Sequence, residues 1–427
     1  MNKIKVVAIT DIEHSAPRIP NLLSYFDSNK YDLYLIGANY SEYLSSEDLP
    51  KKFNRVKLSL FKRKINIFSS LKKNIENSSI INNNEVKKSK IYLIIRRTIV
   101  KCLLFLSFPD QYFFTINNYI NEFKKLKIRG DILLISSSPY PTSHIAAYNI
   151  KTNSDMNIKW IADYRDLWSL NSNYSFNKLR LFFDKKYEKK IMKSADKIVT
   201  VSKPWALKQA SFLKRHIDIV PNGYTVIGNG DTVIEKRPET TNQLPRLKND
   251  KIYILYVGAI YFNSQDVLLF FDSIENLITE KIEVHFIGNY SHELEYIINK
   301  RNLGSNVKQI GKFSRNESQK LQKKYDYLLF FDLKNDDGWI LLKFYEYIGA
   351  NKPIICIGGI KETAHKQILK KINRGKVLID KEQIVNFFTT IKKDNKDQIN
   401  EEESYEYSYP IQSKKMEKLI ESLYNNK

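Results

Sequence analysis

Short apolar runs alternate with longer stretches in which apolar positions recur at helical spacing, and the alternation continues through both halves of the chain. In the first half the runs predict strands over 5–10, 31–36, 132–136, 159–163, 197–201 and 217–220. In the second half they predict strands over 252–257, 282–287, 307–311, 327–331 and 353–357. Strands of this kind separated by helices mean parallel sheets with crossover connections. The expected class is therefore α/β, with a doubly wound sheet in each half. A chain of 427 residues is also too long for one ordinary core and suits two domains of roughly 200 residues each.

The pattern breaks over 221–250, where Asn222-Gly223, Gly228-Asn229-Gly230, Pro238 and Pro245 make a stretch too polar and turn-rich for a core. This places a first domain over 1–225, a linker over 226–250, a second domain over 251–409 and a terminal helix over 410–427. That helix carries Ile411, Met416, Leu419, Ile420 and Leu423 at helical spacing. The most apolar run, 91–108, is interrupted by Arg96, Arg97 and Lys101 too centrally for a bilayer span. Its cations gather on one side of a helical wheel, and two readings stay open: a helix lying in a membrane interface beside anionic headgroups, or a helix packed on its own sheet. The Lys- and Asn-rich stretch 62–90 before it reads as a solvated loop.

Composition narrows the classes. With 42% hydrophobic and 13% aromatic residues the chain is not disordered. Cys102 and Cys356 lie far apart, which makes neither a disulfide framework nor a zinc site and suits a reducing cytoplasm. The N-terminus is too short in apolar residues for a signal peptide and reads as a buried first strand. A net charge of +22 favours polyanions such as nucleic acid, anionic lipid or phosphate-bearing substrates, or else reflects a drift of composition toward Lys, Asn and Ile. No nucleic-acid motif with interleaved aromatics accompanies that charge, so no specific nucleic-acid partner is expected.

The chemistry concentrates in 337–355. Gly338 permits a tight backbone approach at a helix start, and 343–353 reads as a helix ending before a buried strand. Glu346 stands in it among Phe344, Tyr345, Tyr347 and Ile348, surroundings that argue against a solvated face. The helix N-terminus offers N–H groups and a positive dipole to a diphosphate, while the lone carboxylate can chelate a ribose diol. Lys343 would add a cation. Gly258 and Gly311-Lys312-Phe313 follow strands, where doubly wound sheets place their ligand loops. In the first half, Asp163 and Asp166 flank Arg165 beyond a strand, as a structural ion pair or as groups near an acceptor. Ser136 to His144 leads from a strand into a helix, and the loop 11–18 is similarly placed. Metal signals are poor: Asp336-Asp337 precedes a glycine turn and reads as loop solvation or helix-start charge, and His292-Glu293 lacks the second His of a zinc motif.

The run Glu346-Tyr347-Ile348-Gly349-Ala350-Asn351-Lys352-Pro353-Ile354 resembles the nucleotide-sugar half of GT-B glycosyltransferases, specifically family 4. Trp160-Ile161-Ala162-Asp163-Tyr164-Arg165-Asp166-Leu167-Trp168 is similar to the Asp-aromatic-Arg-Asp-x-Trp signature of a bacterial branch that works on surface polysaccharides. Ser136-Ser137-Ser138-Pro139-Tyr140, Ala195 to Ser202 and Ile219 to Gly223 follow in the family's order. One departure stands out: the family's first glutamate, eight positions before Glu346, is Gly338 here, followed by Trp339.

The resemblance implies a GT-B fold, with two Rossmann-like domains facing a central cleft and the terminal helix crossing back to the first. It implies donor contacts from Glu346, Lys343, Gly338, Trp339, Gly258, Gly311 and Phe313, and catalytic work from Asp166, Asp163, Arg165 and His144. Acceptor contacts would come from Arg18, His14, Tyr140 and Trp168. The implied activity is retaining transfer of a sugar from a nucleotide-diphosphate donor to a carbohydrate or lipid-linked acceptor in capsule, O-antigen or exopolysaccharide synthesis. It would need neither metal nor other cofactor, in the cytoplasm or at the inner membrane face with peripheral contact to anionic lipid. A GT-B epimerase or hydrolase, and a silent scaffold of an assembly complex, remain alternatives.

Overall fold

The computed structural model describes residues 3–11, 18–39, 56–62, 108–110, 112–172, 174, 177–226, 245–263, 265–275, 277, 281–360, 362–393 and 401–425. The expected loop over 62–90 beyond its first residue, the apolar run as far as residue 107, most of the linker, Cys102 and His14 lie outside the described residues. The chain divides into two compact units, one of 1–200, 208–218 and 417–427, the other of 201–207 and 219–416.

In the first unit, β1 (Ile4–Asp11), β2 (Tyr31–Asn39), β3 (Val56–Lys62), β4 (Ile132–Ser137), β5 (Ile158–Tyr164), β6 (Lys197–Thr200) and β7 (Asp218–Ile219) form one sheet in the order β3-β2-β1-β4-β5-β6-β7. From β3 through β6 every neighbour pairs in parallel. The strand order switches sides between β1 and β4. In the second unit, β8 (Ile252–Val257), β9 (Ile282–Ile287), β10 (Val307–Gly311), β11 (Tyr327–Phe331), β12 (Ile354–Ile357) and β13 (Gly375–Leu378) pair in parallel in the order β10-β9-β8-β11-β12-β13. Here the switch falls between β8 and β11, and in such sheets the ligand crevice opens at the carboxyl ends beside that switch.

Both faces of the second sheet are covered, which is why its strands read as continuous apolar runs. Ile254 and Tyr256 pack with Phe270, Phe271 and Phe286 on one face, whereas Leu255 and Leu328 pack with Phe344, Tyr347 and Ile348 on the other. Two edge strands, β3 and β13, were not expected. Val56-Lys57-Leu58-Ser59 mixes polar residues into a strand covered less completely, and Gly375-Lys376 opens β13 with residues that seldom signal a strand.

Candidate functional site

In the second unit the helix Leu342–Ala350 turns Phe344, Tyr345, Tyr347 and Ile348 into the core and leaves Lys343 and Glu346 on its other side. It ends where Asn351 adopts the left-handed conformation at φ 59°, with Pro353 two residues on. Its start, with Leu341 as N-cap, is one residue from the expected one, whereas its end falls three residues before the expected 353. Helix and sheet are stitched where β8 ends. The Tyr347 hydroxyl accepts the Val257 N–H at 2.8 Å, and Lys343 Nζ donates to the Tyr256 hydroxyl at 2.6 Å and to the Ala259 carbonyl at 3.2 Å.

Lys343 Nζ also lies 4.1 Å from the centre of the Tyr256 ring. Withdrawal from water pulls this ammonium down to about 7, against the pull of Glu346. Beside it, Gly258 takes φ +102°, and a Cβ there would meet Lys343 Nζ at 3.5 Å. A Cβ on Gly288 would in turn come within 2.8 Å of the Gly258 carbonyl oxygen. Gly288 N–H donates to the Gly311 carbonyl at 3.0 Å, so three glycines line the carboxyl ends of β8, β9 and β10 backbone to backbone. Gly288 carries no motif and sequence reasoning missed it.

Glu346 does not pair with Lys343 as a helix neighbour would. Its Oε1 lies 2.8 Å from Arg315 Nη2, at the start of the helix Arg315–Gln322 that a Ser314–Glu317 capping box opens. The carboxylate is 13% exposed and borders a cavity of about 150 Å3 whose wall includes Tyr224, Thr225, Gln319, Gln322, Lys323 and Gly349. The Phe313 side chain is buried in the core beside Leu321 and Tyr325, and the contact that the resemblance implies for this loop is a main-chain one.

The departure at Gly338 has a physical cause. A Cβ built on this residue collides with the indole of Trp205, which belongs to the same unit. Asp336 Oδ1 accepts the Trp205 indole N–H, the Gly338 N–H and the Trp339 N–H, each at 2.9 Å. Asp336 is therefore a buried turn-former rather than loop solvation, and Trp339 is half-buried next to it. A second constellation went unread in the sequence. At the carboxyl end of β11, fully buried Asp332 lies 3.0 Å from His365 Nδ1 and accepts the Thr363 hydroxyl at 2.7 Å. Burial opposes its ionisation, but His365, Thr363 and the Leu333 N–H together hold the carboxyl below its usual range. His365 Nε2 accepts the Leu341 N–H at 3.2 Å and so fixes the entry to the Glu346 helix. Among the described residues no cluster of three or more His, Cys, Asp or Glu could hold a metal ion.

In the first unit the signature residues sort differently. Arg165 Nε lies 3.5 Å from Asp166. Asp163 is taken by Arg18, with Nε at 3.0 Å and Nη2 at 2.7 Å, and by the Ser137 hydroxyl at 2.7 Å. Arg18 is 1% exposed within this ion pair. His144 is wholly buried, its Nδ1 2.7 Å from the Ser136 hydroxyl that also accepts the Trp160 indole N–H at 2.8 Å. Burial lowers this imidazole to about 4, which keeps it neutral and away from any acceptor. Trp168 is buried, its ring perpendicular to Tyr187 with centres 6.1 Å apart.

Asp166 and Tyr140 keep partial access to solvent. Burial, helped by Asp163, holds the Asp166 carboxyl above its usual range against Arg165 and Arg18. The Ser138 hydroxyl receives the Asp166 N–H at 2.9 Å, tying the ends of β4 and β5 together. The Pro141–Thr152 helix does not offer its whole first turn to a ligand, because Asp110 accepts the Thr142 N–H at 2.8 Å. Glu188, buried beneath the signature, accepts the Tyr164 hydroxyl at 2.9 Å and the Ser169 N–H at 3.1 Å.

The fold has counterparts among solved structures. Sucrose-phosphate synthase from Thermosynechococcus elongatus aligns over 100% of both chains with TM-score 0.64 and 11% identity. Anabaena HepE in complex with UDP and glucose gives 0.60 at 8% identity over 99% of this chain and 100% of its own. The lipopolysaccharide outer core galactosyltransferase WaaB gives 0.58 at 13% over 99% of both. The fold is GT-B. UDP-N-acetylglucosamine 2-epimerase shares this GT-B fold at TM-score 0.55 and 12% identity. No protein-family model and no curated sequence matches the chain.

Proposed function

We propose that this chain is a retaining glycosyltransferase that carries a sugar from a nucleotide diphosphate to a carbohydrate or lipid-linked acceptor in bacterial surface-polysaccharide synthesis. One observation carries the reading: a single carboxylate, Glu346, on a helix whose first turn abuts Lys343 and the Gly258 loop at the switch point of a Rossmann-like sheet. A helix N-terminus and a cation suit a diphosphate, and a carboxylate one turn on suits the two hydroxyls of a ribose. Arg315 would hold Glu346 in its working rotamer until those hydroxyls arrive. HepE, solved with UDP and glucose on this fold, supports a nucleotide-sugar ligand.

In the proposed reaction the acceptor oxygen attacks the anomeric carbon on the face the diphosphate leaves. The new C–O bond forms as the sugar–phosphate bond breaks, and the departing phosphate oxygen takes the acceptor's proton. The protein contributes position and charge. Lys343 and the helix dipole stabilise the leaving diphosphate, and Asp166 orients the acceptor hydroxyl. No metal is assigned a role.

The epimerase among the structural counterparts favours one rival, a sugar-nucleotide epimerase or hydrolase. Incubation with UDP- and GDP-sugars, with and without lipid-linked acceptors, separates the two. Transfer that requires acceptor, with the anomeric configuration kept, is expected. Free sugar or an isomerised sugar nucleotide formed without acceptor would establish the rival.

A further inference from the structure

The helix Lys178–Met192 in the first unit is built inside out. Arg180, Asp184 and Glu188, one turn apart in succession, are 2%, 1% and 1% exposed, while Leu179, Phe182 and Phe183 are 58%, 50% and 51% exposed. The buried charges are provided for: Arg180 pairs with Asp184 at 3.2 Å, donates to the Pro109 carbonyl at 2.8 Å and stacks on Phe108, and Glu188 holds Tyr164 and Ser169. A helix that spends its polar face inward has reversed the usual arrangement of a surface helix. What it presents outward is a pair of phenylalanines with ring centres 5.6 Å apart and a leucine one turn back.

The charge on that outward face has one sign. Lys186 Nζ lies 4.5 Å from the Phe182 ring centre, and Lys189, Lys190 and Lys193 continue along the exposed side. The helix's two acids, Asp184 and Glu188, are the residues turned inward. Beyond its last turn Lys189, Lys193, Lys214 and Arg215 rim a cavity of about 220 Å3 with Phe212 in its wall. Apolar rings flanked by unopposed lysines along a helix about 22 Å long match the layering of an anionic bilayer surface, acyl chains beneath a sheet of phosphates.

We propose that the outward face of the Lys178–Met192 helix docks the protein on an anionic lipid bilayer, with Leu179, Phe182 and Phe183 entering the acyl boundary and Lys186, Lys189, Lys190 and Lys193 meeting lipid phosphates. This surface belongs to another segment of the sequence than the run 91–108, and it does not depend on the sugar-nucleotide reading. The lysines set which membranes are chosen, and the rings decide whether binding outlasts salt.

The test is flotation of the full chain with phosphatidylcholine vesicles, with and without phosphatidylglycerol, at low and high salt. The wild-type chain is expected to float only with the anionic vesicles. The double variant Phe182→Ser, Phe183→Ser should lose about tenfold or more in partitioning while keeping a cooperative unfolding transition, because about half of each ring already faces water. Lys186→Glu with Lys190→Glu should also release the protein. Failure of the wild-type chain to float overturns the proposal. So does flotation of the phenylalanine variant equal to wild type, which would reduce the contact to bulk charge. A concentration-dependent dimer that the phenylalanine variant abolishes without vesicles would assign the face to a second copy instead.

Discussion

The two units carry the same kind of sheet, and one pair of charges in each is treated in the opposite way. In the first, the ionic groups at the strand ends are consumed: Arg18 and Asp163 are locked to each other at 1% and 0% exposure, and His144 is sealed beneath them as a neutral ring. In the second, Lys343 and Glu346 are only partly withdrawn, Lys343 held by the Tyr256 hydroxyl and the Ala259 carbonyl beside glycine-lined strand ends and Glu346 by Arg315 beside a cavity. A buried pair with every lone pair occupied is a structural part, whereas a half-buried charge whose present partner a ligand could replace is poised to bind. A motif in the sequence does not distinguish the two, and the surrounding contacts do.

Breaking the first unit's pair should have the largest effect. Asp163→Ala leaves the Arg18 guanidinium buried without its partner and should cost about 3–5 kcal/mol of stability in urea unfolding. His144 sharpens the same point through pH. Its folded pKa, about 4, lies below the ordinary histidine value, so the unfolded chain binds the extra proton first. That contribution is complete above the unfolded value and is lost as pH falls through the folded one, on the order of 3 kcal/mol between neutrality and pH 4. Replacing His144 with Gln should flatten that part of the stability profile.

In the second unit, Gly338→Glu restores the carboxylate of the resembled family but forces Trp205 out of its place. Overpacking of this kind should cost about 1–3 kcal/mol, and no gain in transfer should follow. Lys343→Met should leave stability almost unchanged, yet weaken nucleotide diphosphate binding by about 10- to 100-fold as measured by calorimetry. Because burial holds the free lysine at about 7 and a diphosphate restores its charge, binding should take up a proton and weaken as pH rises above neutrality. The Met variant should lose that dependence.

Much of the second unit was legible because its information is local. Four of its strands, 252–257, 282–287, 307–311 and 327–331, have the bounds that the apolar runs predicted. The Glu346 helix, expected over 343–353, stops at Ala350 because Asn351 takes the left-handed conformation. What could not be read were pairings across distance. Glu346 meets Arg315 from another helix, His365 reaches Asp332 and Leu341, and Tyr256 sits under Lys343 from a strand 87 residues earlier. No spacing rule encodes such meetings. For the same reason the signature Asp163-Tyr164-Arg165-Asp166 suggested a local Arg between two acids, when the arginine that matters comes from 145 residues upstream.

The central claim is that Glu346 and Lys343 grip a nucleotide diphosphate, and it is most directly tested by ligand-observed NMR of the full chain against UDP-, GDP- and other activated sugars. Saturable binding of at least one nucleotide sugar is expected, reduced about tenfold or more in Glu346→Gln with the fold intact. Absence of binding across the panel, or equal affinity in wild type and Glu346→Gln, would contradict it.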